Sequence, residues 1–134
     1  MKLSRAAGYA LQGLVLLANR DSSRPVPSHE LAREGRMPEL FLLKALLALV
    51  RGRLLVSLKG PHGGYRLARP AKAISLLDVI EAVDGPVRGA APPVAGDGAA
   101  SLDRRLQAVC DAAAGTVRDT LRGITVAALA RRGR

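Results

Sequence analysis

Cysteine is almost absent from this chain of 134 residues: Cys110 stands alone. One thiol excludes an internal disulfide framework and any cluster held by several cysteines of one chain. Long apolar runs are missing too. No stretch approaches the eighteen uncharged apolar residues of a membrane span. The basic, apolar opening MKLSRAAGYALQGLVLLANR is interrupted by Gln12 and has no small-residue cleavage pattern after it. It therefore reads as a core helix rather than an export signal, and the protein as cytoplasmic. Histidine is limited to His29 and His62, far apart in the chain. With no Gly-rich phosphate loop, no useful Cys–His pair and no carboxylate cluster, an enzyme is not expected. No metal or other cofactor is expected, and no internal repeat is evident.

Acidic side chains are scarce in one half only. Residues 1–72 carry 13 basic and 4 acidic residues, whereas residues 73–134 carry 8 and 7. The first half thus holds +9 of the formal +10, which calls for a polyanionic partner. Nucleic acid fits best. A membrane surface is the rival, but the basic residues are not gathered on one amphipathic helix. So short a chain buries a modest core, so that a partner subunit would matter.

Residues 54–67, LLVSLKGPHGGYRL, organise the rest. Two β-prone runs flank Lys59, Gly60, Pro61, His62, Gly63 and Gly64, whose glycines and proline favour a tight, exposed, basic tip. A helical pattern over residues 38–50 precedes it. Helix then basic hairpin is the layout of a winged helix, in which the helix enters a major groove and the hairpin touches backbone or minor groove. A surface turn in another small α+β domain is the plainer alternative.

Around that centre, Ser4 is expected to cap a first helix with apolar residues at Ala7, Leu11, Leu14, Val15 and Ala18. Tyr9 would lie at the core's edge. Residues 21–27 form a loop. Ser28 would cap a short second helix over 29–34, with Leu31 and Ala32 inward and Gly35 as its stop, and is itself an expected DNA contact. Met37 and Pro38 open the third helix. Its inward stripe is expected to be Phe41, Leu42, Ala45, Leu46 and Leu49, leaving Glu39, Leu40, Leu43, Lys44 and Leu47 on other sides. Only Glu39 and Lys44 of these present polar groups to base edges; leucines can touch thymine methyls but cannot hydrogen-bond. A fully buried third helix is the competing reading. Lys59 is the leading minor-groove or phosphate contact, with Gly60 and His62 beside it and Arg66 and Arg69 facing phosphates.

Ser75 would cap a fourth helix, with Asp78 in the capping-box position, only a partial replacement for the usual Glu. Leu76, Leu77, Val79, Ile80 and Val83 supply its apolar face. Residues 87–100 lack any period and are rich in Gly, Ala and Pro, as a flexible loop would be. A long helix starts at Ser101, where Leu102, Leu106, Val109, Ala113, Val117 and Leu121 form a seam suited to pairing with a second subunit. Thr125 would cap a final short segment with Ile124, Val126 and Leu129, and residues 131–134 form a basic tail. The expected class is mainly α with a small β wing. The expected division is a winged helix-turn-helix domain (1–84), a flexible loop (85–100) and a dimerisation helix with a short terminal helix (101–130).

In this order and spacing, MKLSRAAGYALQGLVLLA, MPELFLLKALLALV, LLVSLKGPHGGYRLARP and AISLLDVIEAVDG resemble the Rrf-type family of bacterial winged-helix regulators, which includes IscR, NsrR and CymR. The resemblance spans about residues 1–130, and KGPHGGYRLARP followed by SLLDVIEAVDG is its specific part. It implies a homodimeric transcription factor on a roughly palindromic operator in double-stranded DNA, paired through long C-terminal helices that match Leu102 to Leu121. It places Pro38 to Leu47 in the major groove and Lys59 in the wing, where many members have Arg. Two departures stand out. Where the family commonly has Ala-Gly-Leu, this chain has Gly52, Arg53 and Leu54. Where cluster-binding members carry three cysteines, it has PVAGDGAASLDRR, with Arg104 near the last ligand position. The resemblance therefore implies a regulator, expected to be a repressor, without an iron–sulfur cluster. A small-molecule or protein effector stays unidentified. Cys110 is either a buried small hydrophobe on the dimer helix or a thiol switch. A winged-helix protein-interaction module that has lost DNA readout is the alternative function.

Overall fold

The computed structural model describes residues 1–20 and 23–131. Asp21 and Ser22 of the expected loop, and residues 132–134 of the expected tail, lie outside the described residues. The order is α1 (Arg5–Ala18), α2 (Ser28–Gly35), α3 (Glu39–Arg51), β1 (Leu55–Leu58), β2 (Gly64–Leu67), a single 3-10 turn (Ala71–Ala73), α4 (Leu76–Asp84), α5 (Ala99–Arg122) and α6 (Val126–Ala130). This is a mainly helical fold with a two-stranded wing and a long helix near the end.

Local chemistry explains most boundaries. The Ser4 Oγ accepts the Ala7 N–H at 3.0 Å and starts α1. At α4 the capping box is complete: Ser75 Oγ accepts the Asp78 N–H at 3.0 Å, and the Asp78 carboxylate accepts the Ser75 N–H at 2.9 Å. Aspartate thus does in full what glutamate usually does there. Thr125 caps α6 by accepting the Ala128 N–H.

The second helix departs from expectation at both ends. Its N-cap is Pro27, and the Ser28 hydroxyl is spent elsewhere. Its stop is Arg36, in the left-handed region at φ 52°, whose N–H reaches Arg33 O while the Met37 N–H reaches Ala32 O. That 6→1 and 5→2 pair is a Schellman ending. Gly35 serves packing instead: a Cβ there would sit 2.6 Å from the Met37 methyl and 3.0 Å from Gln12 Nε2. The third helix ends in the same way. Arg53 holds φ 62° and donates to Val50 O, while Leu54 donates to Leu49 O.

One core lies between α1, α2, α3, α4 and the base of the wing. Leu14, Leu31, Leu42, Leu46, Leu49, Leu54, Ile74, Val79 and Val126 are fully buried in it. Each such side chain contributes about 1.5–3 kcal/mol of burial. Val126 belongs to α6, so the chain's last helix returns to the first core. The return is fastened on both sides of Ser75: Leu76 N–H donates to Ile124 O at 2.7 Å, and Val126 N–H donates to Ile74 O at 2.9 Å. A second, smaller cluster joins Leu76, Leu77 and Ile80 of α4 to Leu121 and Val117 of α5. The fourth helix is therefore buried on two sides.

The stretch expected as a loop at 87–100 has no regular structure only as far as residue 98, since α5 starts at Ala99 rather than Ser101, and its first part is tied down. Gln107 of α5 clamps it, donating to Gly89 O at 2.9 Å and accepting the Ala91 N–H at 3.3 Å. Arg118 donates to Val87 O at 2.7 Å. Gly89 lies so close to the Cys110 backbone that a Cβ would strike its carbonyl.

Candidate nucleic-acid interface

The wing pairs β1 with β2 antiparallel, Leu55 opposite Leu67 and Val56 opposite Arg66. Tyr65 and Leu67 pack against the core, so the alternation of a strand turns Arg66, half-buried, to the other side. A third segment joins the wing's base, for Val26 and Tyr65 exchange both backbone hydrogen bonds at 2.9 Å. This needs a glycine next door. Gly64 holds φ 147°, and a Cβ on it would collide with the Val26 carbonyl. Beyond the strands, Lys59, Gly60, Pro61 and His62 are all exposed.

A cleft of about 700 Å³ separates the tip from the segment leading into α2. Arg20, Arg24, Pro25, Val26, Pro27 and Glu30 form one wall and Pro61, His62 and Gly63 the other. Arg20 is held by Glu30 at 2.9 Å and by Glu34. Arg24 joins the predicted tip residues as a basic lining group that sequence reasoning missed; only the strand-like pairing of Val26 brings it there.

The starts of α2 and α3 meet through a hydrogen bond from Ser28 Oγ to Glu39 Oε2 at 3.0 Å. Ser28 is thus a link between the two helices rather than a cap. Pro38 is the N-cap of α3, and Met37 is buried. The inward stripe of α3 is Leu42, Ala45, Leu46 and Leu49. Phe41 does not join it: it is 54% exposed and stacks on Tyr9 of α1, ring centroids 6.3 Å apart. A helix turns about 100° per residue, so position 41 falls outside the stripe that position 42 begins. The third helix is not buried on every side. Leu40 is 75% and Leu47 48% exposed, Lys44 and Arg51 are exposed, and Leu43 is half-buried. Positions 40, 44, 47 and 51 share one face at helical spacing.

Arg69 stands apart from the tip. Its guanidinium meets the Asp78 carboxylate at 3.3 Å, at the start of α4. Both groups are substantially exposed, so this pair adds little stability.

The seam expected along α5 divides. Leu102 and Val109 are 41% and 66% exposed, Ala113 is exposed and Leu106 half-buried. Val117 and Leu121 instead cover α4, and Ala114 is buried. Cys110 is half-buried as a free thiol.

Iron–sulfur chemistry needs soft thiolates. The segment before α5 and its first turns offer none, Arg104 stands exposed there, and the backbone of Cys110 is covered by Gly89. Among the described residues no group of three or more His, Cys, Asp and Glu side chains could hold a metal. The donor set does not fit a cluster. Among the described residues, no helix is long and apolar enough to cross a membrane.

A family model described as "Rrf2: Iron-dependent Transcriptional regulator" matches residues 3–132. Two relatives from Mycobacterium tuberculosis, named as HTH-type transcriptional regulators, are 40% identical over 87 residues, covering 65% of this chain and 54% of theirs. The chain thus spans about half the length of these curated relatives. The regulator IscR of Cereibacter sphaeroides is 35% identical over 114 residues, covering 79% of this chain and 74% of its own. Among solved structures, CymR of B. subtilis, the global cysteine regulator, superposes with a TM-score of 0.76 at 23% identity, over 97% of this chain and 96% of its own. Staphylococcus aureus CymR gives 0.70 at 26% identity, over 98% and 99%.

Proposed function

This chain belongs to the Rrf2 family of transcriptional regulators, and from that premise we propose that it is a cytoplasmic, homodimeric repressor that binds double-stranded operator DNA without an iron–sulfur cluster. One observation carries the reading. The Ser28–Glu39 hydrogen bond joins the starts of α2 and α3, and the Val26–Tyr65 backbone pairing ties the segment before α2 to the wing. Three elements thereby form one continuous surface in the half of the chain that holds nearly all the net charge. In this reading α3 lies in the major groove with Pro38, Glu39, Leu40, Leu43 and Lys44 toward the bases. Lys59, Gly60 and His62 reach the adjacent backbone, Arg66 supports the wing from its outer side, and Arg69 divides its charge between DNA and Asp78. Residues 1–84 act as the reading unit. Residues 101–130 supply the dimer contact through the open α5 face of Leu102, Leu106, Val109 and Ala113, with Cys110 at its edge. Two copies then address two half-sites of a palindromic operator.

The exposed leucines of α3 favour a second reading, a protein-interaction module built on the same fold. Selection of bound fragments from the chain's own genome, with and without reductant, separates the two. Enrichment of a palindromic site with affinity falling steeply in salt is the expected result. Equal, weak binding to every fragment at moderate salt would refute the regulator reading.

A further inference from the structure

The outward face of α3 is unusual for a surface that must discriminate base pairs by hydrogen bonds. Its acceptor, the Glu39 carboxylate, takes the Ser28 hydroxyl at 3.0 Å. What remains exposed is Leu40 and Leu47, with Lys44 between them, half-buried Leu43 beside them and Arg51 at the far end. Leu40 carries the largest exposure of any leucine among the described residues. Leu40 and Leu47 are left exposed, and the cations beside them, Lys44 and Arg51, match a polyanion rather than an apolar core.

We infer that this face reads thymine, by its 5-methyl group, and that Lys44 reads guanine beside it. The inference rests on the DNA-binding reading above and states what that site selects. In the major groove only thymine presents a methyl group, and apolar side chains are its natural contacts. Guanine presents two acceptors, O6 and N7, which suit a lysine ammonium. Leu40 and Leu47 lie seven residues apart, about 10 Å along a helix rising 1.5 Å per residue. At 3.4 Å per base step that is about three steps. The half-site should therefore hold two or three thymines within about four base pairs, with a guanine between them. Arg51, one turn beyond Leu47, is placed for phosphate.

The test uses the full chain to select duplexes from a randomised library at moderate salt. The best duplex is then remade with deoxyuridine replacing each thymine in turn, which removes a methyl group and leaves every hydrogen-bonding atom. Each contacted position should raise Kd about fourfold. In Leu40→Ala the ratio between thymine and deoxyuridine should fall to about one at a single position and persist at the others. In Lys44→Gln the guanine preference should flatten while the methyl ratios stay. Leu40 is so exposed that its replacement should leave the melting temperature unchanged. If the chain selects a site without thymine enrichment, or if deoxyuridine changes nothing while selectivity over random DNA persists, the inference fails and the DNA reading stands. If no duplex is enriched at all, and Leu40→Ala instead releases a bound protein, both fail.

Discussion

Arg36 and Arg53 each hold a left-handed backbone conformation, at the ends of α2 and α3, where glycine is the usual residue. For a residue with a Cβ this conformation costs roughly 1–2 kcal/mol. Glycine would remove that cost and return part of it through the freer unfolded chain. We therefore expect Arg53→Gly to stabilise the protein by about 1 kcal/mol, read as a higher urea midpoint with an unchanged slope. A lower midpoint would mean that the Arg53 side chain makes contacts worth more than the strain. In sequence, residue 53 showed only as a departure from the family's Ala-Gly-Leu, and its left-handed backbone is a finding of the structure. At α2 the stop was misplaced by one residue. Gly35 looked like the stop, but sterics against Met37 and Gln12 fix that glycine, and nothing local announces a contact with α1.

At the level of elements, the wing and the strap over α5 make separate predictions. Lys59 lies on an exposed tip, so Lys59→Ala should weaken binding about equally on operator and random DNA. The slope of log affinity against log salt should fall in magnitude by about 0.9. An unchanged slope would remove Lys59 from the interface. The strap at residues 87–91 is held by the hydrogen bonds of Gln107 and Arg118 and by the lack of a side chain at Gly89. Gly89→Ala forces an overpacked contact against backbone, which should cost about 1–3 kcal/mol. It should also speed tryptic cleavage after the exposed Arg88; equal cleavage rates in variant and parent would contradict the strap. Composition foretold neither fastening. A stretch rich in Gly, Ala and Pro lacks a period whether or not another helix pins it.

For the whole molecule, the open face of α5 is the decisive feature. Val109 is the most exposed large apolar side chain of that helix, and an aspartate there places a charge in the proposed contact, where burying it without a partner is costly. Val109→Asp should sediment as a monomer at concentrations where the parent is a dimer, and should bind a two-half-site operator no better than a single half-site. A dimer surviving in Val109→Asp would move the subunit contact to another face. The seam was only half readable in sequence. Leu102, Leu106, Val109 and Ala113 follow alternating steps of four and three, which keep one face. The steps of four to Val117 and Leu121 each carry the row about 40° further round, enough to bring its end onto α4.

The amino-acid order alone determined what depends on neighbours in sequence: the Ser4 and Thr125 caps, the Ser75–Asp78 box, the glycine-and-proline tip and the charge gathered before residue 73. Hydrogen bonds within a turn and angles open to glycine are decided over three or four residues, so they are written where they act. The tertiary structure alone decided which side of α3 faces outward at Phe41, where the α5 row turns inward, that Arg24 meets the wing and that α6 closes the first core. Those depend on apolar area covered by segments far away in the chain, and burial has no fixed spacing in sequence.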